Sequence, residues 1–350
     1  MKHKPVFLTI WILFWIAVAI VSVELAAGVR LINPSFTMRG VTYELNNQTL
    51  FRNRPFGSEE IGALGNRLNR IGETAPREGA RTVVIQGDSF IFGPNVKLDE
   101  TISAVLQRLL RDAFQVINMG VVGYGPDQSL VQLQTQVLDM KPEIVVLGVF
   151  AANDFNDMYK NQLFTVDDKG DLVKRQRNSL QQQTTTWQSA LLWDLLHSSR
   201  AGRPSRFTSL FRSFFNDIYD LGLINDPQSD ASLEKKALMR GVLRRYREIL
   251  SAHQIPFLAV IIPPIEPFGF TQFFKNNNVP PEKWSTNEDI VAGLCRDEDV
   301  DCLNLYPLFA GHANAADLFD PVDHHLSPKG YHEAAGEILR TLRLQGDFQP

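Results

Sequence analysis

The run Val83-Val84-Ile85 constrains the fold most: three contiguous β-branched residues are too few for a helix and stop at Gly87-Asp88-Ser89. Such a run is a buried strand. Past Gly93 the period changes, because Ile102, Val105, Leu106, Leu109 and Leu110 recur at helical intervals behind the polar start Leu98-Asp99-Glu100. Strand, small-residue turn and helix follow in order. Ser89 therefore sits at the carboxyl end of a central strand, where open α/β sheets bind ligands.

The same grammar recurs downstream. Strand-like Val116-Ile-Asn-Met119 runs into Gly120-Val-Val-Gly-Tyr-Gly125, and Ile144-Val-Val-Leu-Gly-Val149 runs into Phe150-Ala-Ala-Asn-Asp154. Strands are expected at 82–86, 115–119 and 144–149, with helices near 98–112 and over Asp127–Leu138, where Leu130, Leu133 and Val137 share a face. An amphipathic helix over Leu233–His253 feeds the apolar strand Phe257–Ile262, which stops at Pro263-Pro264. A helix around 286–294 leads to a fifth strand at Val300–Leu305. Ser327 and Pro328 are a good N-cap and first residue for a last helix through Leu342. Alternation of this kind builds a doubly wound parallel sheet.

Ahead of this body, Lys2 and Lys4 precede an apolar run from Val6 to Val23 that contains no charge. At 1.5 Å per residue it nearly crosses a ~30 Å hydrocarbon core. A cleavable signal has a shorter apolar region and a small-residue cleavage site, and Glu24 interrupts the sites near Ala26, Ala27 and Gly28. We expect an uncleaved transmembrane signal anchor over residues 6–27, a cytoplasmic tail over 1–5 and the rest of the chain in the periplasm or outside the cell. Residues 28–78 lack sustained periodicity, carry asparagine turns at Asn46 and Asn47, and read as a linker that partly packs on the domain. The domain proper spans 79–346.

Residues 155–240 loosen the pattern for too long to be an ordinary βα connection and read as an inserted lid. Within it, Trp187–Leu196 and Phe207–Leu221 show helical spacing, and Phe207, Leu210, Phe211, Phe214 and Phe215 make a broad stripe. Packing on the body is the first reading of that stripe, and an acyl-chain or membrane contact is the second. Cys295 and Cys302 can close a small disulfide or remain buried thiols. A net charge of −4 with interspersed signs gives no electrostatic footing for nucleic acid.

Serine, glycine, asparagine and histidine blocks in this order, the last being Asp320-Pro-Val-Asp-His-His-Leu-Ser-Pro-Lys-Gly330, resemble the SGNH/GDSL hydrolases over about residues 79–342. The resemblance implies a flavodoxin-like three-layer α/β/α fold, here with an N-terminal transmembrane helix. It implies a serine esterase with Ser89 as nucleophile, and with Ser89, Gly123 and Asn153 as the oxyanion hole. The family's usual Asp-x-x-His is absent, since Val322 stands three before His325. Asp323-His324-His325 instead resembles a variant in membrane-attached members and polysaccharide O-acetylation relatives, which makes His325 the base and Asp323 its orienter. His324 is the second candidate base and Asp320 a second orienter. The substrate so implied is an acylated carbohydrate or lipid ester. Transfer of the acyl group to a glycan is the alternative, and a non-catalytic assembly module on the same fold is a third reading.

Plain structural roles compete at each position. Gly123 fits a tight turn and Asn153 a helix cap; Asp88 reads as an Asx-type turn residue and Asp154 as a support for the Asn153 loop. His324, His325 and His332 with Asp320 and Asp323 could ligate a metal, but His332 falls inside the last helix and no ligand spacing repeats. The reading calls for no metal and no cofactor. Protein partners are not legible.

Overall fold

The computed structural model describes residues 11–12, 14–16, 18, 35–38, 41–73, 81–111, 114–175 and 220–344. Three short antiparallel strands come first: β1 (Ser35–Met38), β2 (Val41–Asn46) and β3 (Leu50–Asn53). Asn46 Oδ1 accepts from the N–H groups of Gln48 and Thr49, so the asparagine side chain builds the β2–β3 turn. Val41, Tyr43 and Phe51 from this sheet lie in the main core, as does Ile61 beyond it. The stretch 41–73 is thus folded against the body.

Next come β4 (Arg81–Gln86), α1 (Ser89–Phe92), α2 (Ile102–Leu110), β5 (Phe114–Asn118), α3 (Pro126–Gln132), β6 (Ile144–Phe150) and α4 (Asp154–Asn161). A small hairpin, β7 (Phe164–Val166) with β8 (Leu172–Lys174), precedes α5 (Leu221–Asn225) and α6 (Asp230–Ala252). The chain ends through β9 (Phe257–Ile262), α7 (Gln272–Asn276), α8 (Thr286–Asp297), β10 (Cys302–Asn304), α9 (Leu305–Ala310) and α10 (Pro328–Leu344).

The central sheet is parallel, in the order β5-β4-β6-β9-β10. Counted along the chain this is 2-1-3-4-5, the flavodoxin-like order, and the strand order reverses between β4 and β6. Both faces are covered, so alternate residues enter different cores. Val84, Val145, Leu147 and Ile261 pack with α3, α4, α6 and α8. Val83, Ile85, Val146 and Val260 pack with α2, α9 and α10. Complete burial of each such side chain contributes about 1.5–3 kcal/mol.

The helix expected over Asp127–Leu138 changes character at Leu133, passing into a π turn over Leu133–Val137 and a 3-10 turn over Leu138–Met140. Thr135 Oγ1 donates to Val131 O there, a back-bond that competes with the helical ladder. Cys295 of α8 and Cys302 of β10 form a disulfide across the turn between them, Cα–Cα 6.2 Å. The expected lid helices at 187–196 and 207–221 lie outside the described residues except for 220–221. The described parts of 155–240 pack on the body, Leu172 of β8 lying over Gly241 of α6. Most of 6–27 also lies outside the described residues, and no helix among the described ones is long and apolar enough to cross a membrane.

Candidate active site

Ser89, Gly123 and Asn153 follow the carboxyl ends of β4, β5 and β6, three adjacent strands with β4 in the middle. Neighbouring strands lie about 4.8 Å apart, so the glycine and asparagine loops flank the serine on either side. The site occupies the crevice at the strand-order reversal, where open α/β sheets bind ligands.

Asp88 ends the nucleophile strand. Its Oδ1 accepts from Phe90 N at 2.8 Å, capping the short helix α1 and turning Ser89 out of the strand. Ser89 Oγ lies 3.4 Å from Asp88 Oδ2 and 2.8 Å from His325 Nε2, so its closer partner is the imidazole. Phe90 lies under the ring of His325, centroids 4.7 Å apart, and stacks on Phe150 at 4.0 Å.

The histidine arrives from the loop before α10. His325 Nδ1 is hydrogen-bonded to Asp323 Oδ1, which leaves Nε2 for Ser89. Asp320 does different work: its Oδ1 accepts from Val322 N and Asp323 N at 2.8 and 3.0 Å, shaping the turn that carries Asp323. Those two N–H groups hold its carboxyl below the usual carboxylate range. His324, in the left-handed region at φ 67°, turns elsewhere. Its Nδ1 is 3.3 Å from Glu266 Oε1 and its ring lies against Phe270. His332 is exposed on α10. The loop is pinned at its end, where Gly330 N donates to Ser327 Oγ and a Cβ at Gly330 would collide with the Leu318 carbonyl.

Gly123 has φ 81° at the third position of a turn closed by Tyr124 N donating to Val121 O at 3.1 Å, a conformation that favours glycine. Val121 N donates to Gly87 O at 3.0 Å, tying this loop to the nucleophile turn. Asn153 precedes α4 and makes no side-chain cap bond to it; its Oδ1 is buried without a hydrogen-bond partner. Asp154 is the support for that turn: its Oδ2 accepts from Phe150 N at 2.8 Å, closing residues 150–154 on themselves. Burial, then the charges of Asp88 and Asp157, push the Asp154 carboxyl well above the ordinary carboxylate range.

Burial also raises Asp88, to about 6 from its ordinary 3.8. The unfolded carboxyl ionises near 3.8, while the folded one keeps its proton until about 6. The folded state therefore binds the extra proton in this window, and stability falls as pH rises through it, by up to about 3 kcal/mol. Asparagine caps a helix equally well but does not titrate. Urea unfolding should accordingly show Asp88→Asn gaining on the parent between about pH 4 and pH 6, with a constant difference above; a pH-independent difference would contradict the buried-carboxyl account.

Three residues that hold the site were missed in the sequence. Asn118, fully buried at the end of β5, donates from Nδ2 to Ile91 O and accepts from Gly120 N. A polar residue closing an apolar strand was the available signal. Asn53 and Arg67 belong to the segment read as a linker, and no motif marks them.

The family model described as "GDSL-like Lipase/Acylhydrolase family" matches residues 85–333. Among solved structures, a lipase/acylhydrolase from Enterococcus faecalis is 13% identical, with 76% of this chain and 96% of that one covered at a TM-score of 0.43. A carbohydrate acetylesterase family member from Sinorhizobium meliloti is 13% identical, with coverage of 75% and 98% and a TM-score of 0.39. An acetyl xylan esterase is 14% identical, with coverage of 75% and 99% and a TM-score of 0.40. No curated protein sequence matches the chain.

Proposed function

This chain belongs to the GDSL-like lipase/acylhydrolase family and hydrolyses esters, and from that premise we propose that it cleaves O-acetyl or other short O-acyl esters outside the cytoplasm through an acyl-enzyme on Ser89. The observation that carries the proposal is the continuous chain from Ser89 Oγ to His325 Nε2 at 2.8 Å and from His325 Nδ1 to Asp323. A serine hydroxyl is a poor nucleophile unless a base takes its proton, and an imidazole needs a fixed tautomer to do so. Asp323 fixes the proton on Nδ1.

In the first half-reaction Ser89 Oγ bonds to the acyl carbon and its proton passes to His325 Nε2. The carbonyl oxygen becomes an oxyanion, held by the N–H groups of Ser89 and Gly123 and the Asn153 amide. Collapse breaks the acyl carbon–oxygen bond, and the departing alkoxide takes the proton from Nε2. Water then repeats the sequence in reverse, delivering a proton to His325, releasing the carboxylic acid and restoring Ser89. No further reagent is needed. Phe90, buried with Phe150, lies against the His325 ring and holds it in place beside Ser89.

The location rests on independent features. Lys2 and Lys4 before the apolar run fit an anchor with a cytoplasmic N-terminus. Among the described residues of that run, Trp11, Ile12, Phe14, Trp15 and Ile16 are helical and about half exposed. The Cys295–Cys302 disulfide suits an oxidising compartment. The substrate in this reading is an acylated carbohydrate or a lipid ester.

The test uses the full chain in detergent with p-nitrophenyl esters of increasing length. Acetate should turn over with the highest kcat/KM, and a preference for long chains would overturn the short-acyl reading. Alkaline phosphatase fused after Pro350 should be active in a bacterial host, and an inactive, stably expressed fusion would place the domain inside.

A further inference from the structure

Residues 41–73 precede the stretch matched by the family model, which begins at residue 85, yet they reach both loops on which the chemistry depends. Arg67 is the more deeply committed of two side chains. It is 3% exposed, and its Nη1 and Nη2 donate to Gly93 O and Val96 O at 2.8 and 2.9 Å. Gly93 closes α1, whose first residue is Ser89, so the guanidinium binds the carbonyl at the far end of the nucleophile turn. The same group lies over the ring of Phe92 at 4.6 Å, and Arg67 N donates to Asn118 O at 3.0 Å. Glu60 is its acidic neighbour, with Oε2 3.5 Å from Nη2. Burial lowers the guanidinium pKa from its ordinary value, which shows the cost of keeping this charge inside.

Asn53, 1% exposed, holds the second loop. Its Nδ2 donates to Gly120 O at 3.2 Å and to Gly65 O at 2.9 Å. Gly120 begins the loop that ends in the Gly123 turn. Two more bonds run the same way: Tyr124 Oη donates to Phe51 O at 2.6 Å, and Gln128 Nε2 donates to Thr49 O at 2.6 Å. The loop bearing the oxyanion glycine is therefore bonded on its outer side to β3 and its turn.

A buried arginine is expensive where an apolar residue would fill the same space. Its geometry explains the expense: one rigid fork spans two carbonyls, Gly93 and Val96, which a lysine cannot do. Misplacing a nucleophile or an oxyanion donor by about 1 Å costs on the order of 100-fold in rate. We infer that Arg67 and Asn53 are positioning residues for ester cleavage, Arg67 fixing the Ser89 turn and Asn53 fixing the Gly123 loop. This inference rests on the proposed roles of Ser89 and Gly123.

The test compares Arg67→Lys, Asn53→Ser, Val41→Ala and Ser89→Ala in the full chain, with kcat, KM and Tm on p-nitrophenyl acetate measured well below each Tm. Val41 is a buried core residue of the same sheet and serves as the stability control. Arg67→Lys and Asn53→Ser should lower kcat by about 10–100-fold with KM within about threefold. Val41→Ala should lower Tm while keeping kcat within about twofold. If Arg67→Lys is recovered unfolded, Asn53→Ser decides alone. Parent-like kcat in the folded Arg67 and Asn53 variants, with Ser89→Ala inert, would overturn the positioning inference alone. So would an equal kcat loss in Val41→Ala. An active Ser89→Ala would instead overturn the underlying assignment of the nucleophile.

Discussion

Ser89→Ala is expected to lower kcat on p-nitrophenyl acetate by about 10⁴–10⁶-fold, with Tm within a few degrees of the parent. The serine is only partly buried, and its hydroxyl holds up no structure beyond its bonds to His325 and Asp88. His325→Ala should cost a similar factor, because Oγ then keeps its proton at the moment of attack. The double variant should be hardly worse than either single one, since the two act as a unit. Additive losses would mean that the two residues serve different steps. Asp88 Oδ2 also lies 3.4 Å from Oγ and is the rival base. If activity survives in His325→Ala and disappears in Asp88→Asn, the assignment of the base is wrong.

Asn153→Ala should lower kcat by about 10²–10³-fold with little change in KM, the loss expected for one oxyanion donor. The asparagine follows β6, which is hydrogen-bonded directly to the nucleophile strand β4. It stands at the head of α4 without a side-chain bond to cap it. A cap residue replaced by alanine loses about 1 kcal/mol of stability and leaves the chemistry alone. Asn153 should show the opposite pattern: a slow enzyme with a nearly unchanged Tm. A drop in Tm at parental kcat would return it to a structural role.

Much of this site could be read from the chain because parallel strands covered on both faces are continuous apolar runs. The expected strands at 82–86, 144–149 and 257–262 meet the observed β4, β6 and β9 to within a residue. Strand-end position marked Ser89, whereas Gly123 and Asn153 were named through the resemblance to the SGNH/GDSL hydrolases; all three follow adjacent strands. The histidine loop was harder. Sequence left Asp320 and Asp323 as rival orienters; in the fold Asp323 bonds His325 Nδ1, while Asp320 accepts from the N–H groups of Val322 and Asp323. The left-handed backbone at His324 likewise directs that ring to Glu266, which no spacing rule foretells.

The N-terminal sheet was illegible for a different reason. Its strands have four to six residues, too few for a period to emerge from a polar background. Asn53 and Arg67 reveal their work only through carbonyls tens of residues away in the chain, at Gly120, Gly93 and Val96. Long-range pairing to backbone leaves no mark in the partner's side-chain identity. The buried carboxyls of Asp88 and Asp154 are similar: their sequence shows acids beside turns, and only the fold shows that both are enclosed.

In this mechanism Ser89 carries the acyl group, and covalent capture of its oxygen is the decisive experiment. The full chain is treated with a fluorophosphonate, which phosphonylates an activated serine oxygen with loss of fluoride, and is then digested and mapped by mass spectrometry. One adduct is expected, on Ser89, formed at a rate that collapses in His325→Ala. An adduct on another residue, or undiminished turnover of p-nitrophenyl acetate by a preparation in which Ser89 is fully phosphonylated, would show that another group carries the acyl.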